Sequence, residues 1–229
     1  MIKDIDAIAF DIDGTLYPNW ALWRRLGPFL YSNACFLIRF GKVREEIRIW
    51  QETHPGESHR DFFAWQASLM APYLDVSGEE AQKLIDEKIY EGWKPIFSRV
   101  RPFPHLDETF SAMKKAGLKI GLLSDFRPDQ KGDIWGLASQ CDVIIGSEES
   151  GALKPSPVPF KALAAALGVK CERILYVGNS VRSDVEGASA VGMKTACIIN
   201  PIASFLGFTA RGADISFASY RQLTRIVLE

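Results

Sequence analysis

The sequence predicts an α/β protein in which a parallel sheet is covered by helices on both faces and an all-helical segment is inserted near the start. Three observations support this fold class. Short apolar runs recur along the chain, segments with helical spacing lie between the later runs, and residues 17–100 contain no clear strand pattern. Strands that alternate with helices of about 10–15 residues are typical of a parallel sheet.

Six apolar runs are candidates for the strands of this sheet. The first, residues 5–10, leads directly into two acids and a glycine. The later runs are residues 119–123, 142–145, 173–177, 195–199 and, more weakly, 214–217. Apolar runs of this length bounded by turn residues indicate buried strands, and ligands of parallel sheets bind at the carboxyl ends of the strands.

Helical patterns lie between these runs in the part of the chain that follows residue 100. Leu106, Phe110 and Met113 recur at a helical spacing and are followed by a glycine, which is a common residue just after a helix. Two further segments, residues 160–167 and 182–191, are also followed by glycine. We therefore predict a helix in each of these three places.

Residues 17–100 differ in composition from the rest of the chain, with 15 of the 26 aromatic residues and five of the six tryptophans. Large rings fill the core of a small helical unit, and some could instead face a site and contact an apolar part of a substrate. We favour the first interpretation. Basic residues of this segment, among them Arg39 and Arg44, are balanced by nearby acids and are expected on a solvated face.

Three signals predict helix starts inside this segment. Pro18 suits the beginning of a helix, and Ser58 and Ser77 each precede an acid by three residues, which is capping-box spacing. We therefore predict a Rossmann-like core of residues 1–16 and 101–229 and a helical cap domain of residues 17–100.

Composition and charge exclude several classes of protein. The 27 Lys and Arg residues against 28 Asp and Glu give a formal net charge of −1, so there is no broad basic field for nucleic acid or anionic membranes. The four cysteines are scattered without a C-x-x-C pair, which is typical of reduced thiols. The most apolar stretch, residues 26–40, is too short and too polar to span a membrane. We expect a cytoplasmic protein without nucleic-acid or membrane partners, and the oligomeric state stays open.

The residues after the first predicted strand, Asp11-Ile-Asp-Gly-Thr15, place two acids close together. Residues i and i+2 at a strand end project to the same side, so the carboxylates of Asp11 and Asp13 repel by about 3 kcal/mol at an effective dielectric constant of about 20. A divalent cation with oxygen ligands would offset that repulsion. A turn with solvated acids is the alternative, and the apolar strand directly before it makes that alternative less favoured.

Three later segments accompany this motif at predicted strand ends. Ser124 lies in Leu-Leu-Ser-Asp, Lys154 lies in Gly-Ala-Leu-Lys-Pro, and the fourth run is followed by Gly178-Asn-Ser-Val-Arg-Ser-Asp184. In this order, the four segments resemble the four motifs of the haloacid dehalogenase-like hydrolase superfamily. The resemblance extends along the whole chain, and the inserted helices stand where many members carry a helical cap, between the first and second motifs.

The resemblance implies a phosphatase that acts on a small phosphorylated metabolite. Asp11 would attack phosphorus to form an aspartyl-phosphate that water then hydrolyses. Asp13 would act as general acid towards the leaving alcohol and then as general base towards the water.

The resemblance also implies how the phosphate is bound. Thr15 and Ser124 would contact it, together with backbone N–H groups just after Ser124, beginning with Asp125. Lys154 would serve both binding and catalysis, because its ammonium group would neutralise charge on the nucleophile and on the transferring group.

Mg²⁺ is the cofactor that the resemblance implies, bridging the nucleophile and the phosphate. The predicted metal ligands are Asp11, Asp13, Asn179 and Asp184. Asn179 departs from the family pattern, since many relatives have Asp here. The amide oxygen still coordinates a hard cation but contributes no negative charge, so we expect weaker Mg²⁺ binding than in an Asn179→Asp variant.

Three alternatives stay open. A hydrolytic dehalogenase of the same superfamily would also use Asp11 as nucleophile but, as the resemblance implies, needs neither a metal nor a second acid, so Asp13 argues against it. A phosphomutase would pass the phosphoryl group from Asp11 to a second substrate hydroxyl. A binding or regulatory protein without turnover is favoured only by Asn179.

Overall fold

The computed structural model describes residue 2 and residues 4–229, and in this part of the chain the strands form one six-stranded parallel sheet in the order β3-β2-β1-β4-β5-β6. The strands are β1 Ala7–Phe10, β2 Lys119–Ser124, β3 Val143–Gly146, β4 Ile174–Gly178, β5 Lys194–Ile198 and β6 Ile215–Phe217. Every apolar run that the sequence indicated, including the weak one at residues 214–217, forms a strand. The predicted α/β fold is confirmed.

Helices of the inserted segment follow β1 directly. They are α1 Asn19–Thr53, α2 Phe62–Leu74, α3 Gly78–Ile85 and α4 Gly92–Phe97, with a π-helical segment Asp86–Glu91 joining the last two. Within the described residues, no helix combines the length and the apolar character that crossing a membrane requires.

Of the remaining helices, the first precedes β2 and the others lie between or after the later strands. They are α5 Leu106–Lys115, α6 Pro157–Leu167, α7 Gly187–Ser189, α8 Pro201–Phe205 and α9 Tyr220–Leu228. A π-helical turn, Val181–Glu186, leads into α7, so the helix predicted at residues 182–191 is present but widened in its first turn. The other two predicted helices are α5 and α6.

Alternate residues of β1 pack against helices on opposite faces of the sheet. Phe10 stacks on Phe110 of α5, with ring centroids 4.8 Å apart. Ala9 belongs to the hydrophobic cluster on the other face, together with Phe160 and Leu163 of α6. Because strand side chains alternate in direction, both faces of β1 are buried, as its continuous apolar sequence predicted.

The starts of the inserted helices test the capping signals. Pro18 directly precedes α1, and Ser77 caps α3 by accepting a hydrogen bond from the Glu80 N–H at 3.2 Å, as predicted. The prediction for Ser58 is wrong, because α2 is capped by Asp61, which accepts from the Ala64 N–H. The segment before Asp61 is held against the core instead, where the His59 N–H donates to the Gly151 carbonyl.

Aromatic side chains of the insert mainly fill an apolar interior, in agreement with the favoured interpretation. Phe62, Tyr90 and Phe97 are buried, whereas Trp20 and Trp23 are exposed. The hydrophobic cluster that contains Phe97 continues into the sheet. The insert and the core therefore share apolar packing, and the proposed division at residues 16 and 101 stays a prediction.

Candidate active site

The predicted site residues lie at one edge of the sheet because β1 pairs with β2 on one side and with β4 on the other. The acids follow β1, Ser124 ends β2, and Asn179 follows β4. Since the strands are parallel, their carboxyl ends meet, and ligands of such sheets bind there. Lys154 and Asp184 reach the same edge from later segments, as their contacts show.

Asp11 is buried and holds two hydrogen bonds through its carboxylate. Lys154 Nζ donates to Oδ1 at 2.6 Å, and Thr15 Oγ1 donates to Oδ2 at 2.8 Å. Burial raises the pKa of Asp11 to about 7, with further raising by Asp184 and Asp13 and an opposing effect from Lys154. The predicted nucleophile is therefore oriented from both sides, and its ionisation depends on pH near neutrality.

Lys154 bridges two carboxylates. Its Nζ also lies 2.8 Å from Asp184 Oδ1 and 3.3 Å from the Tyr176 hydroxyl. Burial would lower the pKa of Lys154, but the charges of Asp11 and Asp184 raise it well above its usual value. The lysine is therefore a fixed cation beside Asp11. Tyr176 was missed at the sequence level because it stands inside an apolar strand.

Asp184 orients the loop that follows β4. Its Oδ2 accepts hydrogen bonds from the backbone N–H groups of Asn179 at 3.1 Å and Ser180 at 3.0 Å. A Cβ atom at Gly178 would lie 2.3 Å from the Asp184 Cβ, so a glycine is required at this strand end. Protein donors thus contact both oxygens of Asp184.

Asn179 is linked to Asp11 through the Thr15 hydroxyl. Thr15 Oγ1 lies 3.4 Å from Asn179 Oδ1 as well as 2.8 Å from Asp11 Oδ2. The turn at Gly14 has φ +86°, and a Cβ there would lie 2.2 Å from Asn179 Nδ2 and 2.6 Å from the amide of Asn19. The absence of a side chain at this glycine therefore admits the Asn179 amide to the site.

Asp13 belongs to the same site, with protein donors on both of its oxygens. Lys131 Nζ lies 2.5 Å from Oδ1, and the Tyr17 hydroxyl also donates to Oδ1. Ser124 Oγ lies 3.4 Å from Oδ2. Lys131 and Tyr17 were not predicted as site residues, since neither stands in a motif.

Ser124 and Asp125 have different surroundings. Ser124 is buried, and its Oγ accepts a hydrogen bond from the Phe126 N–H at 3.1 Å. The carboxylate of Asp125 accepts instead from the Lys154 N–H at 3.2 Å and from Arg48 at 3.1 Å. Burial would raise the pKa of Asp125, but the surrounding cations hold it below its usual value. This side chain therefore joins the core to α1, and its predicted phosphate contact involves only its backbone N–H.

The expectation that Arg44 is solvated is wrong. The side chain is buried, pairs with the buried Glu148, and lies over the ring of Phe126, with 4.4 Å between the guanidinium carbon and the ring centroid. Gln66 Oε1 accepts a further hydrogen bond from it at 3.3 Å. The local balance of charges in the sequence could not reveal this pairing, because Glu148 is 104 residues away.

Mg²⁺ fits this site through a small set of oxygen ligands. In the residues that the structure describes, no group of three or more His, Cys, Asp or Glu side chains is arranged as a metal site. Ammonium groups pair with all three predicted carboxylate ligands, since Lys131 contacts Asp13 and Lys154 contacts both Asp11 and Asp184. Asp11 and Asn179 also share a contact with the Thr15 hydroxyl, which places their oxygens close together. Mg²⁺ commonly uses one or two protein ligands together with substrate phosphate and water, and this pair meets that requirement.

Comparisons with known proteins find relatives of two kinds, dehalogenases and phosphatases. Haloacetate dehalogenase H-2 of Moraxella sp. strain B is 26% identical over 87% of this chain and 87% of its own length. A phosphoglycolate phosphatase of Salmonella typhi is 32% identical over 83% of this chain and 80% of its own length.

A solved structure shares the fold. The crystal structure of a HAD phosphatase from Thermococcus onnurineus superposes with a TM-score of 0.63 at 21% identity, covering 98% of both chains. The haloacid dehalogenase-like hydrolase family model matches residues 5–192, most of the sequence. This chain belongs to the haloacid dehalogenase-like hydrolase family.

Proposed function

We propose that the protein is a phosphatase that hydrolyses a small phosphorylated metabolite through a covalent intermediate on Asp11. The site is a buried carboxylate with a fixed ammonium group beside it, and a second carboxylate stands two residues later. Curated relatives include phosphatases for phosphoglycolate and for glyceraldehyde 3-phosphate. The four free cysteines are consistent with the reducing cytoplasm that we expect.

The observation that carries this proposal is the placement of Asp13. Its carboxylate is oriented by Lys131 and lies within reach of the Ser124 hydroxyl, at the edge of the sheet where the Asp11 carboxylate is found. Cleaving a phosphomonoester requires a proton for the leaving alkoxide, and a positioned carboxylic acid supplies it. A dehalogenase releases a halide and needs no such donor.

Two steps then complete the reaction. In the first, an Asp11 oxygen forms a bond to phosphorus as the bond to the ester oxygen breaks, and the Asp13 proton passes to that oxygen to release the alcohol. In the second, Asp13 takes a proton from water as the water oxygen displaces the Asp11 carboxylate, which yields inorganic phosphate and the free enzyme. Lys154 neutralises the charge that Asp11 and the phosphoryl oxygens share.

We further propose that Asp11 and Asn179 hold Mg²⁺ together with the substrate phosphate. The bound cation would stabilise negative charge on the transferring group. Both side chains contact the Thr15 hydroxyl, which supports their joint use.

A panel of phosphate esters tests the function. We expect Mg²⁺-dependent phosphate release from small phosphorylated acids, sugars or aryl phosphates, and a loss of at least about 10³-fold in kcat for Asp11→Asn. Exposed Lys170→Met provides a matched control that should retain activity.

Three results would contradict the proposal in different ways. Chloride release from chloroacetate without phosphate release would indicate a dehalogenase. Dependence on a bisphosphate activator would indicate a phosphomutase. No turnover above that of Asp11→Asn across the panel would indicate a binding protein.

A further inference from the structure

Lys131 is a buried lysine outside the four motifs. It ends a short helical turn, Pro128–Lys131, that follows β2, and its side chain is 1% exposed. A buried ammonium group is costly unless it is paired and hydrogen-bonded, so its partner is informative. That partner is Asp13, at 2.5 Å from Nζ to Oδ1.

The surroundings of Lys131 are shared between the core and the insert. Its Nζ lies 3.6 Å from the ring centroid of Phe97, on α4, and 5.6 Å from that of Phe126, which follows β2. The preceding residue, Gln130, donates through Nε2 to the Ile89 carbonyl of the insert at 2.6 Å. The ammonium group therefore has aromatic rings from both parts of the molecule beside it, and Asp13 is its carboxylate partner.

The donors on Asp13 are distributed unequally. Oδ1 is contacted by Lys131 and by the Tyr17 hydroxyl, both of which bring a hydrogen. Oδ2 has a long contact of 3.4 Å with the hydroxyl of Ser124, at the edge where the phosphate is proposed to bind. Two donors on Oδ1 leave little room for a proton there, so a proton carried by Asp13 belongs on Oδ2.

We propose that Lys131 is a positioning residue that fixes the Asp13 carboxyl group so that Oδ2 exchanges the proton with the leaving oxygen and then with water. This inference rests on the proposed phosphatase function. Lys131 itself does not touch the substrate. Its contribution is greatest where proton donation matters most, which is for esters of weakly acidic alcohols.

The test compares two leaving groups. The p-nitrophenolate of p-nitrophenyl phosphate departs without protonation, whereas the alkoxide of glycerol phosphate requires a proton. We expect Lys131→Met to lower kcat/KM for glycerol phosphate by about tenfold more than for p-nitrophenyl phosphate, chiefly through kcat, since general acids contribute about 10²–10⁴-fold.

Companion variants separate positioning from general damage. Asp13→Asn should show the same dependence on the leaving group, and combining it with Lys131→Met should add little further loss. Lys131→Arg retains the charge and should restore part of the difference. If Lys131→Met does not fold, Lys131→Gln and Lys131→Arg are used for the same ratio of kcat/KM values.

Two negative results are distinguishable. An equal loss on both substrates in every soluble Lys131 variant would overturn the positioning role and leave the phosphatase function intact. A wild-type protein that hydrolyses neither these substrates nor the wider panel would overturn the proposed function, and the inference with it.

Discussion

Two charged regions of the molecule use buried ion pairs for different purposes. We call the first the strand-end cluster and define it as Asp11, Thr15, Lys154 and Asp184. We call the second the insert interface and define it as Arg44, Arg48, Gln51, Asp125 and Glu148. In the first, residues of the core contact one another, whereas in the second, α1 contacts loops of the core.

The balance of charge differs between them. The strand-end cluster holds one ammonium group between two carboxylates, and the pKa of Asp11 is raised to about 7 mainly by burial. In the insert interface, Arg44 and Arg48 pair with Glu148 and Asp125, so cations and carboxylates are matched. An excess of negative charge is typical of a site that binds a cation or takes part in a reaction. Ion pairs with equal numbers of cations and carboxylates are typical of a structural contact.

Removing the cation of the strand-end cluster should have the largest effect. Lys154→Met leaves Asp11 and Asp184 buried without their shared donor, so we expect about 10²–10³-fold lower kcat and a lower free energy of unfolding. Phosphate release and urea unfolding measure the two effects. If Lys154→Met retains more than a tenth of the wild-type kcat, the strand-end cluster does not have the catalytic role that distinguishes it from the insert interface.

Removing a cation of the insert interface should instead affect mainly stability. Arg44→Met leaves Glu148 buried without its cation, and we expect a loss of about 3–5 kcal/mol in the free energy of unfolding. The exposed Arg39 on the same helix supplies the control, since Arg39→Met should change stability by less than about 0.5 kcal/mol. If Arg44→Met and Arg39→Met lose equal free energy of unfolding, the buried Arg44–Glu148 pair does not contribute to stability.

Because Asp11 is buried, we expect the stability of the protein to depend on pH. The pKa of Asp11 is raised from 3.8 to about 7 on folding, so the stability it contributes is present below about pH 4 and is lost as pH rises to about 7. Asp11→Asn cannot ionise, and its advantage over the wild type should grow across that range to about 2–4 kcal/mol and then level off. Urea unfolding without divalent cations measures it, and a difference that does not vary with pH would contradict it.

Restoring a charge at Asn179 should have the smallest effect. We expect Asn179→Asp to bind Mg²⁺ about tenfold more tightly in calorimetry, because it adds a negative charge to a hard-oxygen ligand. Asn19→Asp is a matched control, since its amide also lies against Gly14 but is not a proposed ligand. If Asn179→Asp binds no more tightly than the wild type, Asn179 lies outside the metal shell.

Much of the strand-end cluster was predictable because strand ends are local features. The apolar run before Asp11 predicted where β1 stops, and parallel pairing brings that end beside the ends of β2 and β4. Placing Ser124 and Asn179 beside the strand-end cluster required only this rule and the order of the motifs.

Several residues that sequence reasoning missed or misplaced have partners that are distant in the chain. Lys131 lies 118 residues from Asp13, and nothing near it in the sequence distinguishes it from a surface lysine. Arg44 has local acids that suggested solvation, yet it pairs with Glu148 across 104 residues. Asp125 stands in the second motif, yet its side chain contacts Arg48 of α1, because the insert packs directly over the loop after β2.

The amino-acid sequence alone determined the parallel sheet, the place of the helical insertion and the position of the Asp11 and Asp13 motif at a strand end, because apolar periodicity and turn residues act over short stretches of chain. The tertiary structure decided that Lys131 neutralises Asp13 and how the insert contacts the core. Those choices depend on burial, which strengthens a charge pair only after distant segments have excluded water from it.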